Sequence, residues 1–171
     1  MSHRSGLGSR TLKTARASTR RHLRTLRLVG CLAVSSIADY NQRIIDEFRA
    51  NGGNVPSWGG PSPLLLLHHR GAKTGVERVN PVAYLQDDGR YVVFASKAGA
   101  PTNPAWYHNL KAHPHATIEV GRDTLAVTAR EVIGQERARL FRAQAERSPQ
   151  IAEYQQKTDR LIPVVVLTPT T

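Results

Sequence analysis

The sequence predicts a mainly β domain with peripheral helices, in which about six mostly antiparallel strands close into a small barrel. Three observations carry this. Short runs rich in β-formers recur, as in Arg90-Tyr-Val-Val-Phe-Ala-Ser-Lys97. Tight turns separate them, notably Asp87-Asp88-Gly89 and Gly121-Arg-Asp123, so neighbouring strands pair antiparallel. Closing such a sheet on itself removes its exposed edges.

The first element is a helix over 36–51. Ser36 and Asp39 have nearly the spacing of a capping box, and Asn51-Gly52-Gly53 stops the helix. Ile37, Tyr40, Ile44 and Phe48 recur at helical spacing and share a face. Residues 52–63 hold four Gly and three Pro and read as loop. Leu64 to His69 is a buried strand, Arg70 to Gly75 a turn, and Arg78 to Gln86 and Arg90 to Lys97 the next strands. Asn103 caps a short helix with Pro104 at its first position, and Pro114 ends it. Strands follow over 116–120 and 124–132, then helices over 135–147 and 149–157, then a last strand over 162–168.

A chain of 171 residues suits one domain, and the lone Cys31 excludes a disulfide within the chain. The net charge of +11 is unevenly spread. Residues 1–28 hold eight basic residues and no acid, whereas the rest is close to balance. Residues 1–35 therefore read as a basic, disordered leader and residues 36–171 as the domain. Such a leader suits the anionic inner face of a cell membrane, more than nucleic acid, around an otherwise cytoplasmic protein. Leu28-Val-Gly-Cys31 looks like a lipoprotein cleavage box, but Arg24 and Arg27 interrupt the apolar run that a signal peptide needs. No stretch is apolar enough to span a membrane.

Several motifs carry chemistry. Arg70-Gly-Ala-Lys-Thr-Gly75 is not a P-loop, because Ala72 stands where glycine is needed before Lys73. It remains a glycine-flanked turn that offers N–H groups and a cation to an anion. Ala95 to Pro114 joins Ser96, Lys97, Gly99, a helix start and Trp106, the parts of an anion cradle with an aromatic wall. Strand alternation sets Ser96 and Lys97 on opposite faces, so the chain must bend there if both serve one site. The pairs His68-His69 and His113-Pro-His115 lack metal-ligand spacing, and no metal site is expected.

Taken in order, Arg70-Gly-x-Lys-Thr-Gly75, Arg78-Val-Asn-Pro81, Ala95-Ser-Lys-x-Gly-Ala100, Asn103-Pro-x-Trp-Tyr107, Asn109-Leu-Lys-Ala112 and Thr158-Asp-Arg-x-Ile-Pro163 resemble the deazaflavin-dependent nitroreductase family of actinobacteria. The resemblance spans about residues 36–168. It implies a split β-barrel, of the FMN-binding split-barrel type, that binds the deazaflavin coenzyme F-420; FMN is the alternative cofactor. It implies that Lys73, Thr74, Arg78, Asn80, Pro81, Ser96, Lys97, Trp106 and Asn109 surround the cofactor. It further implies hydride transfer from reduced F-420 to a quinone, nitro compound or similar small acceptor, with Ser96 and Tyr154 on the acceptor side. Two departures stand out. Ala72 replaces a cation that the family turn often carries, and Ser148 and Ile151 stand where nitroimidazole-reducing members have tyrosines. A carrier that binds F-420 without catalysis is the alternative from another class, and a binder of anionic surfaces or nucleic acid through the arginine-rich leader is the third reading.

Overall fold

A computed structural model describes residues 26–60 and 63–170, with side chains from Ala38 onward. The chain divides into two units, Met1–Ile37 and Ala38–Thr171. Of the first, only the helical backbone from Leu26 is described; residues 1–25 of the basic leader, and any membrane contact they make, lie outside the described residues. The elements of the second unit follow the expected order.

Helix α1 (Leu26–Ala50) begins ten residues before the expected Ser36. Ser36 and Asp39 therefore lie inside a helix and do not cap one; the capping signal was outweighed by continued helical backbone. The strands are β1 (Leu64–Arg70), β2 (Glu77–Asp87), β3 (Arg90–Phe94), β4 (His115–Val120), β5 (Asp123–Val132) and β6 (Val164–Pro169). They form a closed barrel in the order β1-β2-β3-β6-β5-β4, with every pair antiparallel. Helices α2 (Ala105–Ala112), α3 (Gly134–Arg147) and α4 (Gln150–Gln156) are peripheral. Two short 3-10 turns occupy Pro56–Trp58 and Lys97–Gly99.

The apolar run of β1 is continuous because both of its faces are covered. Leu65 and Leu67 point into the barrel with Val82, Val93, Ile118, Val127, Val165 and Leu167. Leu64 and Leu66 point outward against Ile44, Ile45 and Phe48 of α1. β6 repeats the pattern: Val165 and Leu167 face in, while Val164 and Val166 lie beneath Leu140 and Ile151 of α3 and α4. The alternation that places one face in the barrel thus places the other under a helix.

The β2–β3 hairpin turns on Asp88 and Gly89, both with positive φ (50° and 72°), as a two-residue hairpin of this twist requires. Asp87 at its base accepts hydrogen bonds from Arg90 at 2.6 Å and from Arg139 of α3 at 2.8 and 2.9 Å. This ion pair fastens α3 to the barrel. Beyond one-residue shifts and the start of α1, three further boundaries differ from expectation. β3 stops at Phe94, three residues early. Helix α2 starts at Ala105 with Pro104 as its N-cap, and the Asn103 side chain instead accepts from Arg160. β6 begins after Pro163, whose ring removes the donor that a ladder position needs. Among the described residues, no helix is long and apolar enough to cross a membrane.

The Arg139 guanidinium, and then Arg90, hold the Asp87 carboxyl well below its ordinary value, at about 2. A depressed carboxyl stabilises the fold in its charged form, so its contribution is complete above about pH 4 and fades as the pH falls toward 2. Allowing for solvent screening of Arg139, Asp87→Asn should cost about 1–2 kcal/mol at pH 7. Urea unfolding of both proteins at pH 7 and near pH 3 checks this; the gap should narrow at the lower pH.

Candidate active site

A cavity of about 480 Å³ opens between the outer wall of the barrel and the helices. Such a volume lies in the range of cofactor pockets. Pro81, Val82 and Ala83 of β2 and Phe94 at the end of β3 form its barrel side. Ser96, Lys97, Ala98, Pro104 and Trp106 form the next wall. Gln144 comes from α3, Ser148 from the link that follows it, and Gln150, Ile151 and Tyr154 from α4. Tyr40 of α1 and Trp58, Gly59 and Gly60 complete the ring. Among these described residues Lys97 is the one Lys or Arg, and no Asp or Glu is present.

The bend required at Ser96 and Lys97 is present. Ser96 has helical backbone (φ −71°, ψ −41°), and Lys97 and Ala98 both have left-handed backbone (φ 46° and 53°). Two successive non-glycine residues in that region cost about 1–3 kcal/mol each. The turn ends the strand alternation, so Ser96, Lys97 and Ala98 all line one cavity. Gly99 N–H donates to Ser96 O and Ala100 N–H to Lys97 O, each at 3.0 Å. The Lys97 ammonium rests on Thr102 Oγ1 at 2.9 Å.

Helix α2 covers the end of the barrel where β1, β3 and β5 finish. Trp106, Tyr107 and Leu110 join the interior cluster. Trp106 is both a core residue, 8% exposed, and a cavity wall. Three residues on, Asn109 ties the helix to the turn after β1. Its Oδ1 accepts from Ala72 N–H at 2.9 Å, and its Nδ2 donates to His69 Nδ1 at 3.0 Å. His69 Nε2 meets Asn80 Oδ1 at 2.8 Å. An amide oxygen only accepts, so His69 carries its proton on Nε2 and accepts at Nδ1. Burial pushes the His69 imidazole below its ordinary pKa, which favours this neutral form.

The structure thus divides the expected site residues. Pro81, Ser96, Lys97, Trp106 and Tyr154 line the cavity. Lys73, Thr74, Arg78, Asn80 and Asn109 do not. Lys73, Thr74 and Arg78 are exposed, whereas Asn109 is buried and Asn80 half-buried. Alternation along β2 explains part of the split: Asn80 turns toward His69, while Pro81 turns outward into the cavity. Ser148 and Ile151, the two departures from tyrosine, both line it and are buried.

Sequence reasoning missed Tyr40, Trp58, Gln144 and Gln150 as lining residues, and His69 as a partner of both asparagines. Helical spacing groups Tyr40 with Ile44 and Phe48 on one face, but Tyr40 is 40% exposed. A tryptophan in the glycine- and proline-rich loop before β1 was a readable signal. The loop is pinned to α1 by Ser57, whose hydroxyl and N–H both donate to the Glu47 carboxylate. A Cβ on Gly60 would lie 2.8 Å from Trp58 Nε1, so only glycine lets the indole fold back there. His69 follows Leu65 and Leu67 on the inward face, which its spacing already implied.

Asn109→Ala removes partners from the Ala72 N–H and from a buried imidazole. It should destabilise the protein by about 1–3 kcal/mol, the cost of leaving buried polar groups unpaired. Thermal unfolding and faster hydrogen exchange at the Ala72 amide are the measurements.

The family described as F420H(2)-dependent quinone reductase matches residues 41–169. An F420H(2)-dependent quinone reductase of Mycobacterium tuberculosis is 45% identical over 120 residues, covering 68% of this chain and 78% of that protein. A solved F420-H2 dependent reductase is 42% identical with a TM-score of 0.58, covering 61% of this chain and 93% of that one. A solved structure described as a domain-swapped dimer is 36% identical with a TM-score of 0.60, covering 79% and 98%. These agree with the resemblance drawn from the ordered motifs, in cofactor and in barrel. With a match across most of its length and the barrel that the motifs implied, the chain belongs to the F420H(2)-dependent quinone reductase family.

Proposed function

We propose that this chain is an oxidoreductase that holds reduced coenzyme F-420 in the cavity beside Trp106 and transfers a hydride from it to a quinone. The observation that carries the reading is the convergence of Ser96, Lys97, Trp106 and Tyr154 on one cavity in a member of this family.

Bound reduced deazaflavin supplies the hydride. The quinone would gain that hydride and, through solvent, the proton that the reduced cofactor releases, and so would become a hydroquinone. The protein contributes position and electrostatics. Trp106, Phe94 and Ile151 offer apolar surface to flat rings and exclude water. Lys97 is an exposed cation for an anionic part of the cofactor, and Lys73 and Arg78 add exposed charge that draws acidic groups. The hydroxyls of Ser96 and Tyr154 are donors for the quinone oxygen on which negative charge grows during transfer. Nitro compounds are a narrower case: Ser148 and Ile151 supply no phenol hydroxyl at the tyrosine positions of nitroimidazole-reducing relatives.

Fluorescence titration with oxidised F-420 and with FMN tests the cofactor, and mixing reduced F-420 with menadione tests the chemistry. Binding of F-420 in preference to FMN, with faster cofactor oxidation when menadione is added, is the expected result. Tight FMN binding without F-420 binding rejects the cofactor, and F-420 binding without turnover makes the protein a carrier. Lys97→Ala should weaken F-420 binding about 3- to 10-fold, and added salt should reproduce part of that loss in the unaltered protein. Equal affinity in both proteins removes Lys97 from the site.

A further inference from the structure

The strained turn at Ser96–Gly99 is held by one side chain that the reading above does not use. Arg160 lies in the segment between α4 and β6. Its guanidinium donates to Ser96 O at 2.7 Å, to Ala100 O at 2.8 Å and to Asn103 Oδ1 at 2.6 Å. Two of these oxygens flank the pair of left-handed residues, Lys97 and Ala98. The third lies just before α2, which carries Trp106. Among the described residues no carboxylate pairs with Arg160, so its charge is directed at neutral oxygens of the loop. A fork of fixed geometry suits this task better than a point charge.

The segment bearing Arg160 is itself fixed. Gln155 Nε2 donates to Arg160 O at 2.8 Å, and Gln155 Oε1 accepts from Ile162 N–H at 2.9 Å. Arg137 of α3 donates to Ile162 O at 2.9 and 3.1 Å. The same loop also meets α4 directly. A Cβ on Gly99 would lie 2.9 Å from Tyr154 O and 2.8 Å from Lys157 Cβ. The loop that presents Ser96 and the helix that presents Tyr154 are therefore held at two points, the Gly99 contact and the Arg160 fork.

We propose that Arg160 is a positioning residue that sets where Ser96 stands relative to Tyr154 across the cavity, by clamping both ends of the strained turn. The proposal rests on the reading that these two hydroxyls serve the acceptor. It predicts that loss of the fork harms turnover more than cofactor affinity, and that the harm passes through Ser96.

The experiment compares Arg160→Gln, Arg160→Lys, Ser96→Ala and the Arg160→Gln/Ser96→Ala double variant with the unaltered protein. Menadione turnover, F-420 affinity and hydrogen exchange of the cofactor-free protein are measured. Arg160→Gln should lower kcat about 10-fold or more while F-420 affinity stays within about threefold, and Arg160→Lys should recover part of the loss. The double variant should be little worse than the poorer single one, since both act on one group. Without cofactor, exchange at the Gly99 and Ala100 amides should quicken about 10-fold in Arg160→Gln, with the Val93 amide unchanged. Multiplying losses, parallel loss of kcat and affinity, or unaltered loop exchange would each overturn the role of Arg160. If Arg160→Gln does not fold, Asn103→Ala removes one acceptor of the fork; it should lower kcat about 2- to 5-fold with the same dependence on Ser96, and independence overturns the proposal. Failure of the unaltered protein to bind F-420 overturns the underlying reading, an outcome distinct from turnover that does not depend on Arg160.

Discussion

Closure of the barrel by β6 is the constraint on which the rest depends. This last strand pairs with β3 on one side and β5 on the other, so no edge of the sheet remains open. Its residues from Val164 to Leu167 are buried on both faces, half by the barrel interior and half by α3 and α4. The interior is packed with side chains, among them Leu65, Leu67, Val93, Ile118, Val127 and Leu167. The cavity lies outside the barrel, lined by β2, the end of β3 and residues of α1, α3 and α4.

That placement explains why strand ends and connections line so much of the cavity. β3 must stop at Phe94 for the chain to turn, and the turn brings Ser96, Lys97 and Ala98 to one side. The backbone there is strained, and strain persists only where surrounding contacts over-determine it. Arg160, Asn103 and the close approach at Gly99 supply those contacts. α2 then carries the order of the loop further. Trp106 faces the cavity, and Asn109, one turn along the same helix, holds the Ala72 turn through its side chain.

Much of this was legible in the sequence. The six strands, the hairpin at Asp88-Gly89 and the covered faces of β1 follow from alternation and turn chemistry. The ordered motifs carried the family, the barrel and the cofactor. Even the bend at Ser96-Lys97 followed from period-2 geometry, since two adjacent strand residues cannot face one ligand. Where reading failed, a local signal met a longer-range contact. Ser36 has the form of a helix cap, but the helix runs through it from Leu26. Asn103 also has that form, but its side chain is taken by Arg160, 57 residues away.

The sequence by itself determined the strand count, the order of the elements and the family. Those properties rest on periodicity, turn preferences and short motifs, all of which act within a few residues. The tertiary structure alone decided which motif residues share a cavity. It separated Pro81 from Asn80 across the sheet, brought Tyr40 and Trp58 to the cavity rim, and made His69 the neutral link between two asparagines. It also directed Arg160 to the carbonyls of a loop far away in the chain. Such contacts depend on how barrel closure stacks distant segments, and no local pattern encodes that distance.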